Sequence, residues 1–192
     1  AATVLAGAAA GVAQRLRQVE TAGVATVVLA LDRGATDDLR AFRANGVLVP
    51  TSAGLLLKAM THLSRKWPHL DDGGTTLVRL SAGRFGDDTL DEVDDEQLVA
   101  RLLADLHDLT GLAAEPQAVH VQRWPGGMPQ QTVGHRARVR SLRDDLRELP
   151  GLTLAGASYD GIGLAACVAS AHEAAEATLT RLSHPTQTRS LT

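Results

Sequence analysis

The residues whose types and spacing could do chemistry are first of all glycines. Gly161 and Gly163 bracket Ile162 directly ahead of a run rich in small residues, Ala165, Ala166, Ala169, Ser170, Ala171, Ala174 and Ala175. A glycine turn that opens a helix leaves unpaired backbone N–H groups at the positive end of the helix dipole. The missing side chain lets a phosphate or a polarised ring oxygen come close. Such chemistry is recognition rather than bond cleavage. The spacing fits equally a tight strand-to-helix turn packed for shape, because Gly161-Ile162-Gly163 is not a full dinucleotide fingerprint and no acidic residue follows about 20 positions on along a second strand.

A second candidate is Trp124, ahead of Pro125-Gly126-Gly127-Met128-Pro129-Gln130-Gln131. The stretch reads as a surface loop, and an indole beside an irregular glycine-proline backbone is also a wall suited to a flat ligand. The acidic residues from Asp87 to Glu96 lack the glycine pivot and terminal glutamate of a calcium loop, and are read as the solvated start of a helix. The seven histidines show neither His-x-x-x-His spacing nor a nearby nucleophile, so no catalytic residue is assigned. With one cysteine, Cys167, neither an intramolecular disulfide nor a cysteine-rich metal site can form; no metal site is assigned, and a reducing compartment is the default.

These residues need elements to position them. Leu152 to Ala155 reads as a short buried strand introduced by Pro150-Gly151, and the small residues after Gly163 as a helix lying close on a sheet. Upstream, Val133 to Leu149 is an amphipathic helix on Val139, Leu142, Leu146 and Leu149, and Ala118 to Arg123 alternates as a strand that Trp124 ends. Earlier still, helical spacing runs from Val4 to Val19, and Val24 to Leu31 is a valine-rich strand. Asp37 to Arg43 is a short helical turn. Leu55 to Leu63 fits strand or helix and is read as strand because Gly54 precedes it and a β-type run follows; with Gly46 to Pro50 and Thr75 to Ser81 it completes an antiparallel meander. Asp94 or Asp95 caps a helix over 95–110, with Gln97 at the third position after Asp94, a leucine stripe, and Gly111 at its end. From Ser183 onward the chain is polar and reads as a frayed tail.

Composition narrows the classes. The 192 residues can bury a substantial core in one domain or two, and 44% hydrophobic with 21% charged residues is the balance of a globular protein. Only 3% aromatic residues and a net charge of −3 argue against a nucleic-acid partner. No window approaches the roughly 18 apolar residues of a membrane span. The N-terminal run Ala1 to Gly11 has neither a basic leader nor a methionine, so it is not read as a signal peptide but as the middle of a longer protein.

Two motifs are more specific than composition. Trp124, then Met128-Pro129-Gln130-Gln131-Thr132-Val133-Gly134-His135, and after a helix Gly151-Leu152-Thr153-Leu154-Ala155-Gly156-Ala157-Ser158-Tyr159-Asp160-Gly161-Ile162-Gly163 follow one another. In order and spacing they resemble the bacterial protoporphyrinogen/coproporphyrinogen III oxidases of haem biosynthesis, within the FAD-linked amine oxidase superfamily. Gly46-Val47-Leu48-Val49-Pro50 and Lys66-Trp67-Pro68-His69 resemble upstream blocks of the same family, so the likeness runs through nearly the whole chain. It implies an α/β (α+β) flavoprotein portion: 1–114 a β-rich substrate-binding region, 115–182 the C-terminal segment of an FAD-binding domain, 183–192 a flexible tail.

The resemblance also implies roles. The backbone at Gly161, Ile162, Gly163 and Leu164 would contact FAD, with Trp124 against the same cofactor. Leu48, Lys58 and Met60 are candidates for the porphyrinogen. The family reaction removes six electrons in three two-electron steps through FAD, with molecular oxygen as acceptor and hydrogen peroxide as product. Other partners would be haem-pathway enzymes, and the location cytoplasmic, compatible with peripheral contact at the inner face of the membrane. Two departures stand out: Gln131 where the family has an aromatic residue, and no glycine-rich strand–turn–helix for the ADP half of FAD. The chain therefore reads as the C-terminal portion of such an oxidase. The alternatives are another FAD-dependent amine oxidase-like enzyme or a truncated fragment without catalysis.

Overall fold

The computed structural model describes residues 2–7, 9–37, 39–113, 115–149 and 151–183. In chain order its regular elements are α1 (Ala2–Leu5), α2 (Ala10–Leu16), β1 (Thr21–Asp32), β2 (Gly46–Leu48), β3 (Ala59–His62), α3 (Leu63–Lys66), β4 (Thr75–Ala82), α4 (Thr89–Glu92), α5 (Asp95–Thr110), β5 (Ala118–Pro129), α6 (His135–Arg147) and α7 (Leu164–Ser183). Short 3-10 turns lie at Arg40–Arg43, Thr51–Ala53 and Pro68–Leu70. The mixture of helices with an antiparallel sheet agrees with the expected class. The chain divides into two units, Ala22–Met128 and Ala1–Thr21 with Pro129–Thr192, whereas the sequence suggested boundaries at 114/115 and at 182/183.

The Ala22–Met128 unit is organised by a five-stranded sheet in the order β2-β3-β4-β1-β5. β1 runs antiparallel to β4 with Val27 opposite Leu80 and Leu29 opposite Val78, and β3 pairs antiparallel with both β2 and β4. Alternate residues of β1 (Ala25, Val27, Leu29, Leu31) are fully buried, as the two-residue period of a strand requires. They share one core with Leu98, Leu102 and Leu106, the stripe of α5. The start of α5 carries the expected capping box: the Asp94 carboxylate accepts from the Gln97 amide at 2.8 Å, and the Gln97 side chain accepts from the Asp94 amide at 3.3 Å. A second tie is the Leu57 amide, which donates to Asp105 at 2.8 Å.

The other unit is built on α2 and α6, whose Val12, Leu16, Leu142 and Leu146 form a small core with half-buried Leu152, Leu154 and Tyr159 against it. Arg15 reaches Asp145 across this pair at 2.7 Å.

Several elements differ from the sequence reading. The single helix over 4–19 is two short helices, with Gly7 in the break between them; a glycine costs about 1 kcal/mol of helix propensity against alanine. Leu55 to Leu57 stays outside β3: the Thr51–Ala53 turn ends on Gly54 in the left-handed region, and the Leu57 amide goes to a side chain instead of a strand. Trp124 does not end β5, and Trp124–Pro129 is strand, not loop. Prolines are tolerated there because β5 lies at the sheet edge, where a missing N–H leaves no ladder bond broken. Leu152 to Ala155 is not a strand. Its polar groups are met by side chains: Arg181 donates to the Leu152 carbonyl at 3.3 Å, and Thr153 hydrogen-bonds the Thr178 hydroxyl at 3.1 Å. α6 begins at His135 rather than Val133, behind Gly134 at φ +83°. Ser183 closes α7, and the remainder of the expected tail lies outside the described residues.

Candidate functional site

The glycine turn is real and its positioning is polar. From Gly156 the chain makes a tight turn, in which the Tyr159 amide donates to the Gly156 carbonyl at 3.0 Å, and then enters α7. The Gly156 amide donates to the Ser170 hydroxyl at 3.1 Å, and Ser170, buried on α7, donates in turn to the Asp160 carboxylate. Arg143 on α6 reaches both oxygens of the same carboxylate at 2.7 and 2.8 Å. Asp160 is thereby the knot that fixes the turn to α6 and α7. Its desolvation works against the charged form, but the Ser170 hydroxyl and the Arg143 guanidinium more than offset it, holding the carboxyl below its usual range. Beside the knot, Arg143, Arg147, Leu152, Leu154, Glu173 and Arg181 line a cleft of about 330 Å³.

Gly161, Ile162, Gly163 and Leu164 are consecutive and lead into α7, which starts at Leu164. Ile162 is 57% and Leu164 88% exposed, large values for apolar side chains that touch no core. Gly161 sits at φ +140°, which side chains rarely adopt, and a Cβ there would meet the Ala166 methyl at 3.2 Å. At Gly163 a Cβ would meet nothing within 4 Å, so the space over this residue is open. The Cys167 amide bonds the Gly163 carbonyl at 2.9 Å, and the N–H groups of the first helical turn before it have no intrahelical acceptor. The arrangement fits an anionic or polarised flat group laid over the backbone of a helix start.

Trp124 belongs to the other unit. It is 54% exposed on β5, above Gly127, where a Cβ would collide with the Trp124 Cβ at 2.9 Å. Its neighbour Arg123 was not singled out by sequence reasoning, yet its guanidinium makes three bonds: Asp95 Oδ1 at 2.7 Å, the Leu90 carbonyl at 2.6 Å and the Val93 carbonyl at 2.9 Å. This clamp holds the edge strand to the start of α5. Only a lone arginine on an otherwise apolar alternation signalled it.

Leu48 lies on β2, Met60 on β3 and Lys58 immediately before β3, and the three differ in exposure. Leu48 is 85% exposed, Lys58 is half-buried with its ammonium donating to the Gly83 carbonyl at 3.3 Å, and Met60 is 1% exposed inside the core. Met60 therefore presents no surface to a ligand in this geometry. Among the described residues no group of three or more His, Cys, Asp or Glu is arranged to hold a metal ion, and no helix is long and apolar enough to cross a membrane.

The family model described as flavin containing amine oxidoreductase matches residues 3–179. A coproporphyrinogen III oxidase of Mycobacterium leprae (strain TN) is 40% identical over 161 residues, 83% of this chain and 34% of the relative. One from Bacillus subtilis (strain 168) is 30% identical over 168 residues, 87% of this chain and 35% of the relative. A crystal structure from Exiguobacterium sp. 255-15, described as a protoporphyrinogen oxidase, superimposes with a TM-score of 0.75 at 34% identity, covering 87% of this chain and 37% of that one. The chain thus spans about a third of the length of the relatives it matches.

Proposed function

Because the chain belongs to the flavin-containing amine oxidoreductase family, we propose that it serves, as part of a longer polypeptide, the oxygen-dependent oxidation of coproporphyrinogen III to coproporphyrin III. The observation that carries this reading is the 40% identity to a coproporphyrinogen III oxidase over 161 residues, a stretch long enough to include both motifs. Oxidation of protoporphyrinogen IX to protoporphyrin IX is the second reading, favoured by the structural likeness to the Exiguobacterium protein.

The flavin in this reading is FAD, which when bound supplies the acceptor for substrate electrons and their onward passage to oxygen. This chain's residues bind and orient. The exposed backbone at Gly161, Ile162, Gly163 and Leu164 receives the cofactor at the start of α7, and the Asp160–Ser170–Arg143 knot keeps that turn in shape. The exposed indole of Trp124 offers a flat apolar face to the same cofactor. The Ala22–Met128 unit is the substrate-binding region, with Leu48 as apolar wall and Lys58 as anchor for a propionate carboxylate; Met60 supports them from the core. The segment from Pro129 onward is the cofactor-domain part. Haem-pathway enzymes as partners, and a cytoplasmic place with peripheral membrane contact, belong to the same proposal.

The test replaces the matching third of the Mycobacterium leprae relative with this chain and follows porphyrin fluorescence from both porphyrinogens. The chimera is expected to carry flavin and to form coproporphyrin III faster than protoporphyrin IX. A folded, flavin-loaded chimera that oxidises neither substrate would sink the reading, and the opposite preference would favour the second.

A further inference from the structure

Past the end of β1, within the Ala22–Met128 unit, a cavity of about 160 Å³ opens between the Arg40–Arg43 turn, the end of β3 and the start of β4. None of its lining residues has a place at the proposed cofactor or substrate. At about 30 Å³ for each water it holds roughly five, well under the roughly 300–1,000 Å³ of sites for drug-sized ligands. Its occupant is therefore small. The hydroxyls of the wall are already engaged: Thr36 donates to the Arg33 carbonyl at 2.9 Å and shares a hydrogen bond of 3.0 Å with Thr76, while Ser64 donates to the Leu70 carbonyl at 3.3 Å and accepts from the Leu77 amide at 2.9 Å. What the wall offers a ligand is charge and one imidazole.

Three arginines line the cavity. Arg33 is paired with Asp71, whose carboxylate also accepts from the Gly73 amide at 3.0 Å, so these two charges cancel within the wall. Arg43 and Arg65 are exposed, and their side chains make no hydrogen bond or ion pair to any described residue. The carboxylate of Asp37, on the same wall, is equally unpaired among the described residues. Two free guanidiniums against one free carboxylate leave one positive charge in excess. His62 adds an acceptor. Its Nδ1 lies 3.0 Å from the Phe42 carbonyl, which can only accept, so the proton sits on Nδ1 and Nε2 carries the lone pair. Nε2 has no partner either, and it is not one of the buried unpaired side-chain atoms, so it is open to solvent. Burial above all, then Arg65 and Arg33, hold the His62 pKa below its ordinary value against the Phe42 carbonyl and Asp71, and the ring is neutral near neutral pH.

We propose that this cavity binds inorganic phosphate as its monoanion, the two charged oxygens taken by Arg43 and Arg65 and the two P–OH groups donating to the Asp37 carboxylate and to His62 Nε2. The single negative charge meets the single positive excess, and each donor meets an acceptor. Arginine forks suit phosphate oxygens. Sulfate has the same shape but carries no proton near neutral pH, so it would set its oxygens against a carboxylate and a lone pair, and the wall rejects it. The proposal stands apart from the flavin reading, since it uses none of the same residues.

Sodium phosphate and sodium sulfate are the probes, each titrated by calorimetry into the full chain near neutral pH at fixed ionic strength, while the ¹⁵N-labelled ring of His62 is followed by NMR. A single saturable phosphate site and a shift of the His62 Nε2 resonance are expected, with sulfate at least about tenfold weaker. Arg65→Gln should weaken phosphate about tenfold, the range of a hydrogen bond to a charged group, and Asp37→Asn should cut the preference for phosphate over sulfate by a similar factor. Both side chains are exposed, and circular dichroism checks that each variant folds. An absence of phosphate heat and of any His62 shift would overturn the proposal. So would sulfate binding as tightly as phosphate, undiminished phosphate binding in a folded Arg65→Gln protein, or an unchanged preference in a folded Asp37→Asn protein. Should either variant not fold, the two probes on the unaltered chain still decide the matter.

Discussion

In the Ala22–Met128 unit, Leu29, Leu31, Leu57, Met60, Leu80, Leu98, Leu102 and Leu106 are buried almost completely, whereas in the other unit Leu142 is the large side chain so enclosed among the described residues. The first unit is held by area: two faces of apolar side chains, one from the sheet and one from α5, close over each other. The second depends more on direction. Its glycine turn hangs on a carboxylate that accepts from Ser170 and Arg143, and its longest helix leaves Leu164, Val168 and Leu179 exposed. An apolar core and a charge knot respond to different changes, so the two units should fail for different reasons.

The largest expected effect tests the apolar half of that contrast. Leu102→Ala removes a fully buried side chain from the centre of α5 and should cost about 2–5 kcal/mol. Both tryptophans, Trp67 and Trp124, lie in the sheet unit, and the one tyrosine, Tyr159, in the other. Urea unfolding followed by tryptophan fluorescence should show the full loss, while the near-ultraviolet signal of Tyr159 shifts less. Equal shifts of the two signals would break the comparison, since the units would then unfold as one.

A smaller effect tests the polar half. Asp160→Asn keeps the shape but not the charge, and for a carboxylate partly open to solvent the loss should be about 1 kcal/mol. Acid should reproduce it. A carboxyl held below its ordinary value contributes stability that is present above about pH 4 and is lost as pH falls through the folded value. His62 sets a different window for the sheet unit. Burial lowers its pKa first; the Phe42 carbonyl pulls it up, and Arg65 and Arg33 push it down. With the folded value depressed, the unfolded state takes up the proton first, so stability falls as pH drops below about 6.5. The tryptophan signal should therefore begin to weaken at a higher pH than the tyrosine signal, and His62→Gln should abolish that early onset.

The same contrast explains what could be read from the sequence. β1, β4 and α5 were legible because their pairing or packing partners produce clear periods: valines and leucines in a run of strand length, and a leucine stripe behind Asp94 and Gln97. The glycine turn ahead of α7 was legible too, since glycine spacing is local. Leu152 to Ala155 misled because an apolar tetrapeptide specifies burial but not a neighbour, and Thr153 and Arg181 supply side-chain bonds in place of a strand. The Asp160 knot was invisible for the opposite reason: Arg143 and Ser170 stand 17 and 10 residues from Asp160, on two different helices, and become its neighbours only through folding. Trp124–Pro129 was misread because glycine and proline signal turns, while an edge strand accepts both.

The smallest expected effect on stability is also the sharpest on function. Gly163 and Gly161 are two residues apart, yet a Cβ at Gly163 meets nothing within 4 Å, while one at Gly161 meets Ala166 at 3.2 Å on a backbone at φ +140°. Gly163→Val should leave the tyrosine-monitored melt within about 0.5 kcal/mol of the unaltered chain, the ordinary range for a surface change. Gly161→Val should lower it by about 1 kcal/mol or more through backbone strain. In the chimera with the Mycobacterium leprae relative the order should invert for bound flavin: Gly163→Val fills the open space over the start of α7 and should cost most of the cofactor without unfolding the turn. Normal flavin content in that variant would mean that the open space serves no ligand, and the turn would then be a packing feature whose directional bonds maintain shape alone.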